Sequence, residues 1–320
     1  MAASDFMIDP SAEDELADQE MRWPKVAPAN EVIVKLKDIP GQIPLIICHG
    51  GGGTIHSFGP LQKKFHSALW AIQATPETPR NSLHAQAKFY VQKIKQEQSR
   101  GPYRLAAFSA TAITVLVMAH LFQNDGDKIV QVAFIDHIPT VFFAPPMGLD
   151  IDLSSIPRHE ARRQFVEKNY SFVCDILKKD GGGKVVRRHK LADGLWDAWQ
   201  RKPVVQFLQH YRDFMEEFLY ASYDFLEEIT SRGQVRPPDP HALTEWLQQL
   251  DCPLTLFIAD KGIRSCIPIQ AREEWLDLGV RRGFPRAEVM TLDAGHFDIL
   301  ANEMVLYELQ KEFYPSRSSL

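Results

Sequence analysis

Short, densely apolar runs take turns along this chain with longer stretches whose apolar residues recur every three or four positions. Glu31–Leu36 alternates apolar and polar side chains like an edge strand, and Pro44–Cys48 is continuously apolar, as in a strand covered on both faces. Leu69–Gln73 predicts another short strand. Leu83, Ala87, Tyr90, Val91 and Ile94 recur at helical spacing and predict a helix from about Ser82 to Gln98, ended by Gly101-Pro102. Tyr103–Phe108 predicts a strand that runs straight into an apolar helix from Ala112 to about Gln123. Asn124-Asp125-Gly126 then supplies a turn before the strand Ile129–Ile135. Strand and helix alternate as in an α/β chain built on a mostly parallel, doubly wound sheet.

From Val141 to about Leu250 long polar-aromatic segments replace the buried strands, which predicts an inserted helical cap, or lid, over about 141–250. Its strongest helix should start at Pro203, a favoured first-turn residue, and reach about Ile229 with Phe207, Tyr211, Phe214, Phe218 and Phe225 on one face. The simplest role for that stripe is core packing, which in a cap can coincide with ligand contact. Pro253–Ala259 and Glu288–Leu292 resume the strands, and a helix from about Asp298 to Phe313 closes a domain spanning 29–320. Residues 1–28 carry seven carboxylates and few large apolar groups, so they read as a disordered acidic tail.

Composition narrows the classes. A formal charge of −5 argues against nucleic acid as the main partner, since phosphate binding needs a net basic face. Cys48, Cys174, Cys252 and Cys266 lie far apart with no C-x-x-C pair, which suits neither a metal centre nor a disulfide scaffold. There is no apolar run of membrane-spanning length and no basic-then-apolar leader, so the expectation is a cytoplasmic protein without a membrane span.

One hydroxyl sits where strand meets helix, in Ala107-Phe108-Ser109-Ala110-Thr111. In the α/β-hydrolase fold that junction is the nucleophile elbow, usually G-x-S-x-G; here Ala107 and the β-branched Thr111 replace both glycines. A serine needs a base, and the base an acid; in this fold the acid precedes the histidine in the chain. His296, on the loop Asp293–Phe297 past the last strand, is the candidate base. Asp136, directly after the strand Ile129–Ile135, and Asp260, at the end of the strand Pro253–Ala259, are both candidate acids, and spacing does not choose between them. His137, beside Asp136, reads as loop structure. Cys48–Thr54, with four successive glycines after a buried strand, stands where hydrolases build half of an oxyanion hole; the N–H of Ala110 would be the other half. No Gly-Lys-Ser or Gly-Lys-Thr follows either this run or Gly181–Gly183, so neither is a phosphate loop. Lys178, Lys179, Lys184, Arg187, Arg188 and Lys190 read as a solvated face, or as a surface that meets an acidic partner.

Taken in order, Pro44–Gly53, Ile72–Thr75 with Glu77-Thr78-Pro79, Tyr90–Ile94, Gly101–Leu105, the elbow and Phe134-Ile135-Asp136 resemble the thioesterase family of polyketide synthases, nonribosomal peptide synthetases and animal fatty acid synthases. The resemblance covers about residues 31–140 and returns at Leu292–Leu300. It implies an α/β-hydrolase that takes an acyl, polyketide or peptidyl chain from the phosphopantetheine thiol of a carrier protein onto Ser109. Release to water or to an internal nucleophile would follow, in secondary metabolite or fatty acid biosynthesis. It further implies Asp136 as the acid, Gly51 and Ala110 as the oxyanion amides, and no cofactor beyond the partner's phosphopantetheine. A general carboxylesterase or lipase, and a non-catalytic relative that binds acyl groups or a carrier, are the competing readings.

Overall fold

The computed structural model describes residues 30–145, 156–179, 185–231 and 238–313. The expected acidic tail 1–28 and the glycine run 181–183 lie outside them. Seven strands form one sheet in the order β1-β3-β2-β4-β5-β6-β7. They are β1 (Ile33–Lys37), β2 (Leu45–Cys48), β3 (Leu69–Ile72), β4 (Tyr103–Phe108), β5 (Ile129–Ile135), β6 (Leu254–Ala259) and β7 (Glu288–Leu292). Only β1, at the edge, is antiparallel; every other pairing is parallel.

The continuous apolar runs are explained by what covers each face. Ile46, Cys48, Leu105, Ala107, Val132 and Phe134 point to one core, while Leu45, Ile47, Ala106, Phe108, Ala133 and Ile135 point to the other. The second core is closed by α1 (Gly59–Lys64), by a 3₁₀ turn at Asp298–Ala301 and by a helix that follows it. The first is covered by α2 (Leu83–Glu97) and α3 (Ala112–Asn124). Ser82 caps α2 by accepting from the Ala85 N–H at 3.3 Å, and most of α3 is apolar and buried because it lies between the sheet and other helices.

Between β5 and β6 the chain leaves the sheet for α4 (Arg158–Lys179), α5 (Val185–Trp199), α6 (Gln206–Ser231) and α7 (Pro240–Leu247). Pro203 does not open α6, which begins three residues later at Gln206. Short helices α8 (Ile263–Cys266) and α9 (Val280–Gly283) precede β7. The helix expected from Asp298 to Phe313 is broken: Asn302 turns extended, φ −68° and ψ 126°, and its side chain accepts from the Met304 N–H at 2.9 Å. It thereby starts a separate α10 (Glu303–Glu308). No helix among the described residues is long and apolar enough to cross a membrane.

Candidate active site

Parallel pairing delivers the chemistry to one edge. Phe108 lies opposite Ile135, and Ile135 opposite Phe257, so the residues that follow β4, β5 and β6 emerge side by side. Ser109 and Asp136, first past β4 and β5, both have positive φ, 61° and 55°. Non-glycine residues seldom adopt that conformation, and here it turns both side chains out of the sheet at its edge.

His296 joins them. Its Nε2 lies 3.1 Å from the Ser109 Oγ and its Nδ1 2.7 Å from the Asp136 Oδ2. Asp136 is fully buried, with Oδ1 accepting from the Ala259 N–H at 2.9 Å and Oδ2 from the Ile263 N–H at 3.1 Å. An ionised carboxylate only accepts, so the Nδ1 of His296 carries the proton and Nε2 is left to accept from the serine. The imidazole stacks on Phe108, with ring centroids 4.9 Å apart, and meets Phe297 edge-on. The loop that carries it is pinned to the end of β6 by Asp260 N–H to Leu292 O and Lys261 N–H to Ala294 O.

Asp260 is not brought to the histidine: its side chain is half exposed and pairs with Arg264 at 3.4 Å. Gly51 and Ala110 both line the cavity that contains Ser109 and His296. Ala110 stands in the first turn of the helical stretch that becomes α3, where backbone N–H groups lack intrahelical partners and favour negative charge. His137 is buried with its ring edge-on to Phe142, and burial, with repulsion from His296 whenever that ring is protonated, pushes it down to about 3. Burial pushes the Cys48 thiol up to about 12, so it is no competing nucleophile. Arg188 departs from the expected solvated face: it is buried, bonds Asp298 at 2.6 Å and lies over the Phe297 ring.

Sequence reasoning missed the roof. A Cβ on Gly52 would sit 2.0 Å from the Tyr211 ring, one on Gly53 2.9 Å from Phe214, and one on Gly51 3.8 Å from Met215. Helix α6 therefore rests directly on the glycine run, and part of the aromatic stripe does double duty. Tyr211 and Phe218 line the cavity, whereas Phe225 packs against Trp246. Also missed was Gly262, where a Cβ would fall 2.1 Å from the Asp136 Oδ2. The signal for it was a glycine just past a strand end.

A doubly wound sheet with a helical insertion over its carboxyl edge, and a serine, histidine and aspartate meeting there, defines an α/β-hydrolase. Within that class, residues 43–153 match the family model for the Thioesterase domain. A highly reducing polyketide synthase from Strobilurus tenacellus is 30% identical over 296 residues, 88% of this chain. The chain spans 10% of that synthase's length. The fold is shared with the Vlm2 thioesterase domain at a TM-score of 0.52 and 13% identity, covering 88% of this chain and 98% of that one. It is shared equally with YbtT, a type II thioesterase from the yersiniabactin pathway, at a TM-score of 0.51 and 13% identity, covering 89% and 98%.

Proposed function

We propose that the chain is a serine thioesterase that takes an acyl chain from a carrier-bound phosphopantetheine thioester and releases it through an acyl-Ser109 intermediate. The observation that carries this reading is the single imidazole of His296 in reach of both the Ser109 hydroxyl and the Asp136 carboxylate. His296 Nε2 takes the hydroxyl proton as Oγ attacks the thioester carbon, and the imidazolium is stabilised by Asp136. The N–H groups of Gly51 and Ala110 stabilise the oxyanion. Collapse breaks the carbon–sulfur bond, and the Nε2 proton goes to the departing thiolate. Water then attacks the acyl-serine, gives its proton to Nε2, and the acid leaves as Oγ is reprotonated.

The carrier protein is the partner this reading requires, and the pocket indicates the chain it brings. Val173, Ile176, Tyr211, Met215, Phe218 and Leu219 form the roof and wall, with no lysine, arginine, aspartate or glutamate among the described residues of the lining. An ionised group inside it would lose hydration without gaining a partner, so a reduced polyketide or fatty acyl chain fits better than a charged peptidyl one. The cavity holds about 60 Å³, far below the roughly 300–1,000 Å³ of occupied small-molecule sites, so a chain enters as the roof side chains give way.

Intact-mass analysis after incubation with carrier protein loaded with varied chains tests the reading. A mass gain equal to one acyl group is expected, largest for apolar chains and missing in Ser109→Ala. Acyl release undiminished in Ser109→Ala, or oxygen esters turned over as well as matched pantetheine thioesters, would overturn it.

A further inference from the structure

Thr111 stands where the usual elbow has glycine, and its hydroxyl is fully buried. It donates to the backbone carbonyl of His49 and lies 3.3 Å from the Phe108 carbonyl. With one proton to give, the hydroxyl directs it to His49, the closer acceptor. That bond spans two loops that leave neighbouring strands, since Cys48 lies opposite Ala107 in the β2–β4 pair.

What lies at each end of the bond gives it meaning. The His49 carbonyl belongs to the peptide plane that joins His49 to Gly50. The next plane, from Gly50 to Gly51, is held by its own carbonyl, which accepts from His49 Nδ1 at 2.6 Å and from the Gly53 N–H at 3.1 Å. In a trans peptide the N–H points opposite to the C=O, so holding the Gly50 carbonyl sets the direction of the Gly51 N–H. The imidazole of His49 is itself fixed. Because Nδ1 donates to a carbonyl, Nε2 accepts from the Tyr90 hydroxyl at 2.8 Å, and burial pushes the ring down to about 4, which keeps it neutral. On the other side, Thr111 directly follows Ala110. The hydroxyl thus ties together the segments that carry the two oxyanion amides, one residue from Ala110 and one peptide plane from the plane that aims Gly51.

We propose that Thr111 is a positioning residue for the oxyanion hole: its side-chain bond to His49 sets the distance between the Gly51 and Ala110 amides that a glycine at this position would leave unset. The proposal rests on the thioesterase reading above. Donors that stabilise an oxyanion work because they are aimed before charge develops, so slack between them costs transition-state binding and leaves ground-state binding intact.

Thr111→Val keeps shape and branching but removes the bond. Since removing one oxyanion donor outright lowers kcat by about 10²–10³-fold, loosening the spacing of two is expected to lower it by about 10-fold, with KM unchanged. Thr111→Ser should recover kcat to within about threefold of wild type, by restoring the same donor. An alkyl trifluoromethyl ketone, whose serine adduct carries an oxyanion, should inhibit Thr111→Val about 10-fold less well, while the matching pantetheine amide binds equally to both. Should the valine variant fail to fold, Thr111→Ala removes the hydroxyl without adding bulk and should show the same split. The proposal is overturned if both hydroxyl-free variants keep wild-type kcat, if serine fails to restore it, or if amide and ketone binding weaken together. Ser109→Ala is run alongside: activity that survives it sinks the thioesterase reading and this proposal with it. Loss of activity there with Thr111→Val unaffected sinks this proposal alone.

Discussion

Replacing Asp136 by asparagine subtracts one acceptor from a carboxylate on which three donors converge, the N–H groups of Ala259 and Ile263 and the Nδ1–H of His296. Asparagine has one acceptor oxygen and an amino group that only donates. With its oxygen at the present Oδ2 position it keeps Ile263 and His296 but sets its amino group against the Ala259 N–H, orphaning a buried donor at a cost of about 1–3 kcal/mol. Turned the other way it keeps Ala259, orphans Ile263 and forces His296 to carry its proton on Nε2, where it can no longer accept from Ser109. Either way the imidazolium loses its counter-charge. The expected fall in kcat is about 10⁴-fold, or about 5 kcal/mol of transition-state stabilisation. Asp260→Asn is the control, because its half-exposed pair with Arg264 is of a kind worth about 0–1 kcal/mol, and kcat should change by less than about threefold. Steady-state hydrolysis of an acyl-pantetheine thioester by the two variants, with thermal melts to verify folding, makes the comparison. A well-folded Asp136→Asn that keeps more than about a tenth of wild-type kcat, or an Asp260→Asn that loses more than it does, refutes the reasoning.

Gly262→Ala would push a methyl to within 2.1 Å of the Asp136 carboxylate and should cut kcat by about 10²–10⁴-fold without touching a reacting group; unchanged turnover would show the acid loop to be pliable. Gly52→Ala would overlap the Tyr211 ring and is expected to cost about 1–3 kcal/mol in urea unfolding, recovered when Tyr211→Leu is added. Additive losses would mean the two do not clash. Unfolded histidine gains a proton near about pH 6.5, whereas folded His137 resists protonation until about 3. Its contribution to stability is therefore full above about 6.5 and fades as pH falls toward about 3. His137→Leu should accordingly narrow the drop in urea midpoint between about pH 7 and about pH 4.5; a drop as large as in wild type would assign the acid sensitivity elsewhere.

Where apolar and β-branched residues cluster over five to seven positions between turn signals, the elements could be read directly. Tyr103–Phe108, Ile129–Ile135 and Glu288–Leu292 are strands with the expected bounds. Short helices such as α1, α8 and α9 left too few turns for a period to emerge, and the aspartate-to-phenylalanine stretch at the end was split by the capping side chain of Asn302. Ser109, His296 and both candidate acids were legible because each directly follows a strand or sits on a loop just past one, and parallel strands bring such positions to one edge; spacing did not separate Asp136 from Asp260, and only the family resemblance favoured Asp136. The bond from Thr111 to His49 was not, because 62 residues separate its ends and only the β2–β4 pairing joins them. The contact of Tyr211 with Gly52 was hidden for the same reason: a helical stripe reveals a buried face without naming what it is buried against.

The glycines beneath α6 contribute no side chains, so on the proposed function the body of a bound chain would be met mainly by the helices overhead, with Phe108 and Phe297 the large side chains on the sheet side. On that reading, the groups that break bonds and most of those that measure the cargo hang from separate parts of the molecule. Exchanging Met215 or Leu219 for larger or smaller apolar residues should change which chain length is accepted while the reacting trio keeps its spacing.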